Sequence, residues 1–310
     1  IILLIFDTVY SLLYLANTAL GVEIAFTSHQ RTRLQVVVNI MLAIGTGIGF
    51  IVPLLLLTGD STTKINPLLI PVLIIVAIIG GLIIFIGSFK LEENQFVQAQ
   101  EPLPFVEGIK ETMKNRPFII HSLALFLVTL SNTFILTGIF YYVQFILQFK
   151  GLLVLVPLLL MFGTVILFSM VFLSKMIRRY GAKMTYIFGL LESSLCFGLL
   201  FLLGWNVMTA LLIFLVVGIG FGTMSTLNGV IAGEVIDYDE VITGKRRETT
   251  YGGVSALFIK PSISIANWLF LTVISFFGFK EGTGVQGQPE PAFMGIMVAF
   301  TLLPALFLCI

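Results

Sequence analysis

Charged side chains in apolar sequence are the first candidates for chemistry, because an ion inside a bilayer is costly unless it has a partner or a task. Asp7 is followed by Tyr10 and Tyr14 at i+3 and i+7, so the three share one helical face, which Asn17 continues. A carboxylate, two phenols and an amide on one face can bind a hydroxyl-rich solute or a coupling cation. The same residues also fit an interfacial position, where a carboxylate is cheap and tyrosines anchor. Lys260 lies mid-way along a long apolar stretch and is followed by Pro261, which removes a backbone donor and tends to kink a helix. A buried ammonium needs a carboxylate or a carbonyl cluster nearby; the alternative is a lysine that snorkels to the interface. Glu192, with Ser193 and Ser194, reads as a proton relay or, preferably, as a neutral acid bonded to a neighbouring helix.

Asn132 stands in a polar run, Ser131-Asn132-Thr133, that continues through Thr137, Tyr141, Tyr142 and Gln144 as a cavity face. Gly218, Gly220 and Gly222 allow close helix approach. A further cluster joins Asp237, Asp239, Glu240 and Glu248 to Lys245, Arg246 and Arg247, with Arg31 from an earlier loop. So many acids among bases at a helix end can form bridges that hold one conformation closed and break in another. A plain solvated loop would not call for the acids.

The elements that must position these groups are membrane helices. Of 310 residues, 58% are hydrophobic and 11% charged, where a soluble domain carries roughly a quarter charged. Nine apolar segments are read, at 1–22, 34–58, 67–89, 118–148, 152–174, 184–204, 207–232, 252–278 and 292–310. Each is long enough, at roughly 20 residues, to cross a bilayer as a helix. Barrel strands would be about half that length and would alternate in polarity. The expected fold is therefore an all-α membrane protein.

Loop charge supports the count. Lys and Arg number two in 23–33, four in 90–117, four in 175–183 and three in 234–248, against one each in the loops of Lys64, Lys150 and Lys280. By the positive-inside rule the four basic loops are cytoplasmic in the cell membrane. Residues 90–117 form a long polar linker in which 105–115 (Phe105, Ile109, Met113) predict an amphipathic helix at the surface. The linker divides the chain into 1–89, with three spans, and 118–310, with six. Transporters built from two six-helix halves have such a linker. The chain thus reads as entered in the middle of a helix at Ile1, without its first three spans and with the last span cut short, and its start is not a signal peptide.

Other classes find little support. The net charge of +1 says nothing about partners, and no basic run suggests nucleic acid. Cys196 and Cys309 lie in apolar stretches and imply neither a disulfide framework nor a metal site. A membrane enzyme or receptor would need a catalytic constellation, but His29 and His121 are isolated and no nucleotide, metal or nucleophile motif occurs. No repeated filter sequence points to a channel. No cofactor is expected beyond a coupling ion, Na⁺ or H⁺.

Two segments are more specific. Gly233-Glu234-Val235-Ile236-Asp237-Tyr238-Asp239-Glu240, with Thr243-Gly244-Lys245-Arg246-Arg247-Glu248 and Tyr251, closely resembles the signature loop between helices ten and eleven of the glycoside–pentoside–hexuronide cation symporters, the melibiose-carrier family. Glu23-Ile24 through Gln30-Arg31-Thr32-Arg33-Leu34 is similar to that family's segment between helices four and five. Ser174-Lys175-Met176-Ile177-Arg178-Arg179-Tyr180-Gly181-Ala182-Lys183 resembles the basic turn between helices eight and nine of the wider major facilitator superfamily. The resemblance covers essentially the whole chain. It implies a twelve-helix fold and symport of a sugar or related small organic solute with Na⁺, H⁺ or Li⁺ by alternating access. The alternative is a non-transporting membrane protein or an inactive transporter fragment. It also implies that Lys260 matches a family lysine on helix eleven. The family's cation-site aspartates would lie on a helix before Ile1. Tyr14 takes the place of a sugar-binding aspartate and Asn39 that of a sugar-binding arginine, so a galactoside-type site is not implied; a sugar acid or a more lipid-like solute fits as well.

Overall fold

A computed structural model describes residues 5, 8–13, 27–57, 67–89, 105–244 and 248–310. Residues 8–13 are helical (α1). They are followed by α2 (Ser28–Leu57), α3 (Leu69–Ser88), α4 (Phe105–Thr112), α5 (Arg116–Tyr141), α6 (Val156–Phe168), α7 (Ser174–Leu203), α8 (Val207–Thr243), α9 (Glu248–Phe276), α10 (Glu290–Met297) and α11 (Leu303–Cys309). Single π-helical turns at Tyr142–Ile146, Ser169–Leu173 and Val298–Leu302 extend or join α5, α6 with α7, and α10 with α11. No strand occurs among the described residues.

Seven described helical stretches are long and apolar enough to cross a membrane. One of them, Gly151–Leu203, has 53 residues, about 80 Å at 1.5 Å per residue and more than twice the hydrocarbon thickness. Gly181 breaks it, at φ 80° and ψ 163°, a conformation that glycine adopts without a Cβ penalty. The stretch is thus two spans, and eight of the nine expected spans are described. The first, 1–22, lies mostly outside the described residues.

Helices outrun the apolar segments at the polar end. α2 begins within the expected 23–33 loop because Thr27 and Gln30 form a reciprocal capping box: Gln30 N donates to Thr27 Oγ1 at 3.3 Å and Thr27 N to Gln30 Oε1 at 3.2 Å. α8 carries most of the expected 234–248 loop as three further turns, ending where Gly244 turns left-handed at φ 67°. The expected 175–183 loop is likewise helical on both sides of Gly181. Hydropathy reports where lipid lies, not where a helix stops.

α8 is the centre of the carboxy-terminal half and packs along α6 and α7, with α2 on a further face. α5 pairs with α9, and α11 closes against α5 and α7. Tyr142, Phe134, Phe197, Phe214, Phe270 and Phe300 are fully buried at the centre. Tyr142 stacks on Phe300 at 4.9 Å and donates its hydroxyl to Gly204 O at 2.5 Å, so it belongs to the core and not to the cavity face expected of it. Many large apolar side chains face outward, among them Ile83, Phe85 and Leu202, as a lipid-exposed surface requires.

α4 is a short helix that docks on protein rather than lying at the surface. Ile109 packs with Phe118, Val235, Ile236, Tyr251 and Val254, and Thr112 is fully buried. Asn115 ties the following turn to Tyr251, donating Nδ2 to its hydroxyl at 2.8 Å.

Candidate functional site

Lys260 sits near the middle of α9, twelve residues beyond Glu248, about 18 Å along the helix axis. Its ammonium donates to Ser11 Oγ at 2.8 Å, across 249 residues of sequence. Pro261 interrupts the backbone ladder at this point. The Ser262 hydroxyl donates to Ile259 O at 2.6 Å, using one carbonyl near the interruption. The sequence marks Asp7, Tyr10, Tyr14 and Asn17 on the first span. Asp7, Tyr14 and Asn17 lie outside the described residues, and Tyr10 is exposed. Ser11 escapes a reading of the sequence, because a serine in apolar sequence carries no charge or motif to mark it.

α5 contributes a second polar group. Ser131 and Thr133 return their hydroxyls to Leu127 O and Thr129 O of their own helix. Thr137 donates to Asn267 Oδ1 at 2.8 Å and so joins α5 to α9. Asn132 is half-buried, and its Oδ1 is buried without a hydrogen-bond partner in the structure. Such an oxygen can accept from a hydroxyl or face a cation. At the far end of α5, Phe140, Tyr141, Gln144 and Phe145 line a half-open cleft of about 330 Å³, closed by Phe279, Glu281, Gly282 and Thr283. Tyr141 and Gln144 are therefore at a cavity, as expected.

At the other end, a polar seam joins α2 to α8. Arg31, Gln35 and Asn39 follow one another at four-residue steps on α2. Arg31 is 3% exposed and grips Asp237 with two parallel bonds, Nη1 to Oδ2 at 2.5 Å and Nη2 to Oδ1 at 2.9 Å. A Cβ on Gly233 would lie 2.8 Å from Arg31 Nη1, and one on Gly229 would strike the Gln35 amide. The two glycines are the slots into which these long side chains fit. Asn39 donates Nδ2 to Thr226 Oγ1 at 3.0 Å and to Gly222 O at 3.3 Å. It is thereby engaged in holding two helices together. Of the remaining gate candidates, Asp239 and Glu248 are buried and Glu240 is half-buried, while Arg246 and Arg247 lie outside the described residues.

The other glycines and Glu192 have structural surroundings. A Cβ on Gly218 or Gly222 would press on α6, and one on Gly220 would strike Glu192 and Ser193 of α7. Glu192 accepts from Cys196 Sγ at 3.3 Å and from Ser193 Oγ at 3.5 Å. No group of three or more metal-ligating side chains occurs among the described residues.

All of residues 1–310 match the MFS/sugar transport protein family. The chain belongs to that family. Membership agrees with the described helices that are long and apolar enough to cross a membrane. It is 24% identical over 236 residues to the glucuronide carrier protein homolog of Escherichia coli (strain K12), a match covering 76% of this chain and 50% of that protein. It is 26% identical over 241 residues to an uncharacterized symporter of Bacillus subtilis (strain 168), with the same two shares. The chain spans about half the length of the curated relatives it matches.

Proposed function

We propose that the protein is a secondary active transporter of the cell membrane, moving a sugar or sugar acid together with a cation by alternating access. One observation carries the reading: a lysine at mid-membrane bridges α9 to α1, so that the two halves meet at a charge and not only at apolar surface. A charge held there has a cost that a purely structural contact would not require. The glycine-slotted seam of α2 on α8 supports it, since an ion pair can separate and re-form where an interdigitated apolar core cannot. The relatives named for a glucuronide carrier and a symporter point to the same solute class and to coupled transport. The coupling cation is Na⁺ or H⁺. Asn132 and Lys260 are the described candidates for the pathway, and the sequence adds Asp7, Tyr10, Tyr14 and Asn17 of the first span. Arg31, Asp237, Asp239, Glu240, Arg246, Arg247 and Glu248 form the cytoplasmic gate.

Proteoliposomes containing the full-length protein test this. A radiolabelled methyl glucuronide should accumulate when an inward Na⁺ or H⁺ gradient is imposed, and methyl galactoside less so. Accumulation indifferent to both gradients would leave facilitated diffusion instead.

Loops 23–33, 90–117, 175–183 and 234–248 share the cytoplasmic side in this reading. Cysteines placed singly at residues 245 and 64 should react with an impermeant maleimide from opposite sides of the membrane. Labelling of both from one side would overturn the topology.

A further inference from the structure

The corner at Gly181 within α7 differs from every other basic segment of the chain. Lys175, Arg178, Arg179 and Lys183 fall within nine residues, and the sequence holds no Asp or Glu from Thr112 to Leu191. All four are exposed, and none forms a salt bridge among the described residues. Elsewhere the bases have acids: Arg31 is locked to Asp237, and Lys114 reaches Glu111 at 2.6 Å. The bases at 245–247 are flanked by Asp239, Glu240 and Glu248. Positive-inside topology asks only for basic residues on one side; it does not ask that their acids be missing.

The geometry around the four cations is also particular. Lys175 and Arg179 are four residues apart and share a helical face. The chain then turns at Gly181, whose φ is positive, and Lys183 follows two residues beyond that turn. Lys175 Nζ lies 5.9 Å from the centre of the Phe172 ring, and the Arg179 guanidinium 5.3 Å from that of Tyr180. Phe172, Tyr180, Met184 and Phe188 are all exposed. In a membrane-spanning chain those side chains meet acyl chains, while the cations beside them stand at headgroup level. Unmatched positive charge above exposed apolar surface is the complement of one molecule, an anionic phospholipid.

We infer that the corner at Gly181 of α7 binds the phosphodiester headgroup of an anionic phospholipid, with Lys175, Arg178, Arg179 and Lys183 around the phosphate and Phe172, Tyr180 and Met184 along the chains. The lipid holds the two arms at Gly181 together by bridging cations that otherwise repel. This site is independent of the solute pathway.

The test uses the full-length protein in nanodiscs of dioleoylphosphatidylcholine, with or without about a third of dioleoylphosphatidylglycerol. Binding to the folded state raises the melting temperature, so the anionic lipid should add about 5 °C. The variant Lys175→Gln/Arg178→Gln/Arg179→Gln/Lys183→Gln should lose most of that gain while melting as the parent does in the neutral lipid. If it fails to insert, Arg178→Gln/Arg179→Gln should lose about half the gain. A control, Lys90→Gln/Lys110→Gln/Lys114→Gln, removes three charges elsewhere and should keep the gain. Equal loss in that control would make the effect bulk attraction and overturn the site. So would an undiminished gain in the variants, no gain in the parent, or an equal gain from soluble glycerol phosphate.

Discussion

Asp237→Asn should open the α2–α8 seam more than Arg31→Gln does, although the two changes break the same ion pair. Arg31 is 3% exposed and the Asp237 side chain 41%. Removing the carboxylate charge strips a buried guanidinium of its bidentate partner. Removing the guanidinium leaves a carboxylate that water already reaches. Truncating one partner of a buried, hydrogen-bonded charge pair costs about 2–5 kcal/mol, much of it the penalty on the charge left behind. Solvent at Asp237 argues for the low end, about 2 kcal/mol, or roughly a thirtyfold shift away from the closed seam. Arg31→Gln should shift it about fivefold, as an exposed pair would. The double neutral variant should fall below Asp237→Asn alone, because no lone charge remains buried. Gln35→Cys reports the state, since Gln35 lies in the slot over Gly229. Its rate of alkylation should rise in that order, and net uptake should fall with it. Equal alkylation rates in all three backgrounds would mean that the seam is not a gate.

Lys260→Met should abolish gradient-driven uptake, by about a hundredfold or more, while leaving the protein inserted and folded. An ionised lysine at the bilayer centre costs about 2.5–3.5 kcal/mol on insertion scales. Replacing it with an apolar side chain of similar length therefore threatens no stability, and the melting temperature should hold within about 2 °C or rise. Transport is another matter. An ammonium near a shared site competes with a coupling cation for the same oxygens, so cation entry should displace it and cation exit should let it return. Beside Pro261, where the backbone ladder is interrupted, that exchange can bend α9. Ser11→Ala removes the hydroxyl that receives Lys260 but not the charge, and should cost only about fivefold. Unchanged cation dependence of uptake in Lys260→Met would make the residue a structural or snorkelling lysine.

The spans are legible because lipid imposes a length and a polarity that no side-chain detail can evade. Eight of the nine expected segments are helices, although α2, α7 and α8 run well past the apolar sequence at one end. Where the ends differ, the signals are present in the residues: Thr27 with Gln30 begins α2, and Gly244 ends α8. They escape a hydropathy reading because hydropathy stops at the membrane surface and a helix need not. Lys260, Arg31 and Asp237 are legible as candidates because charge in or beside apolar sequence is conspicuous. Tyr142 is misplaced by its sequence for the opposite reason, since an aromatic residue with a hydroxyl suits a cavity and a core equally.

By itself, then, the sequence determined the class, eight of the nine expected crossings and the family, which follow from composition and a few contiguous motifs. Only the tertiary structure decided the partners: Ser11 for Lys260, Asp237 for Arg31, Thr226 for Asn39, and Gly229 and Gly233 as slots for α2. The physical reason lies in the solvent. In water an apolar stripe shows which face of a helix turns inward. In lipid both faces are apolar, as along α3, whose sequence Leu69–Ser88 holds no charged residue on any side. Rotation of each helix is then set by small residues and single hydrogen bonds, and those exist only once the neighbouring helix is in place.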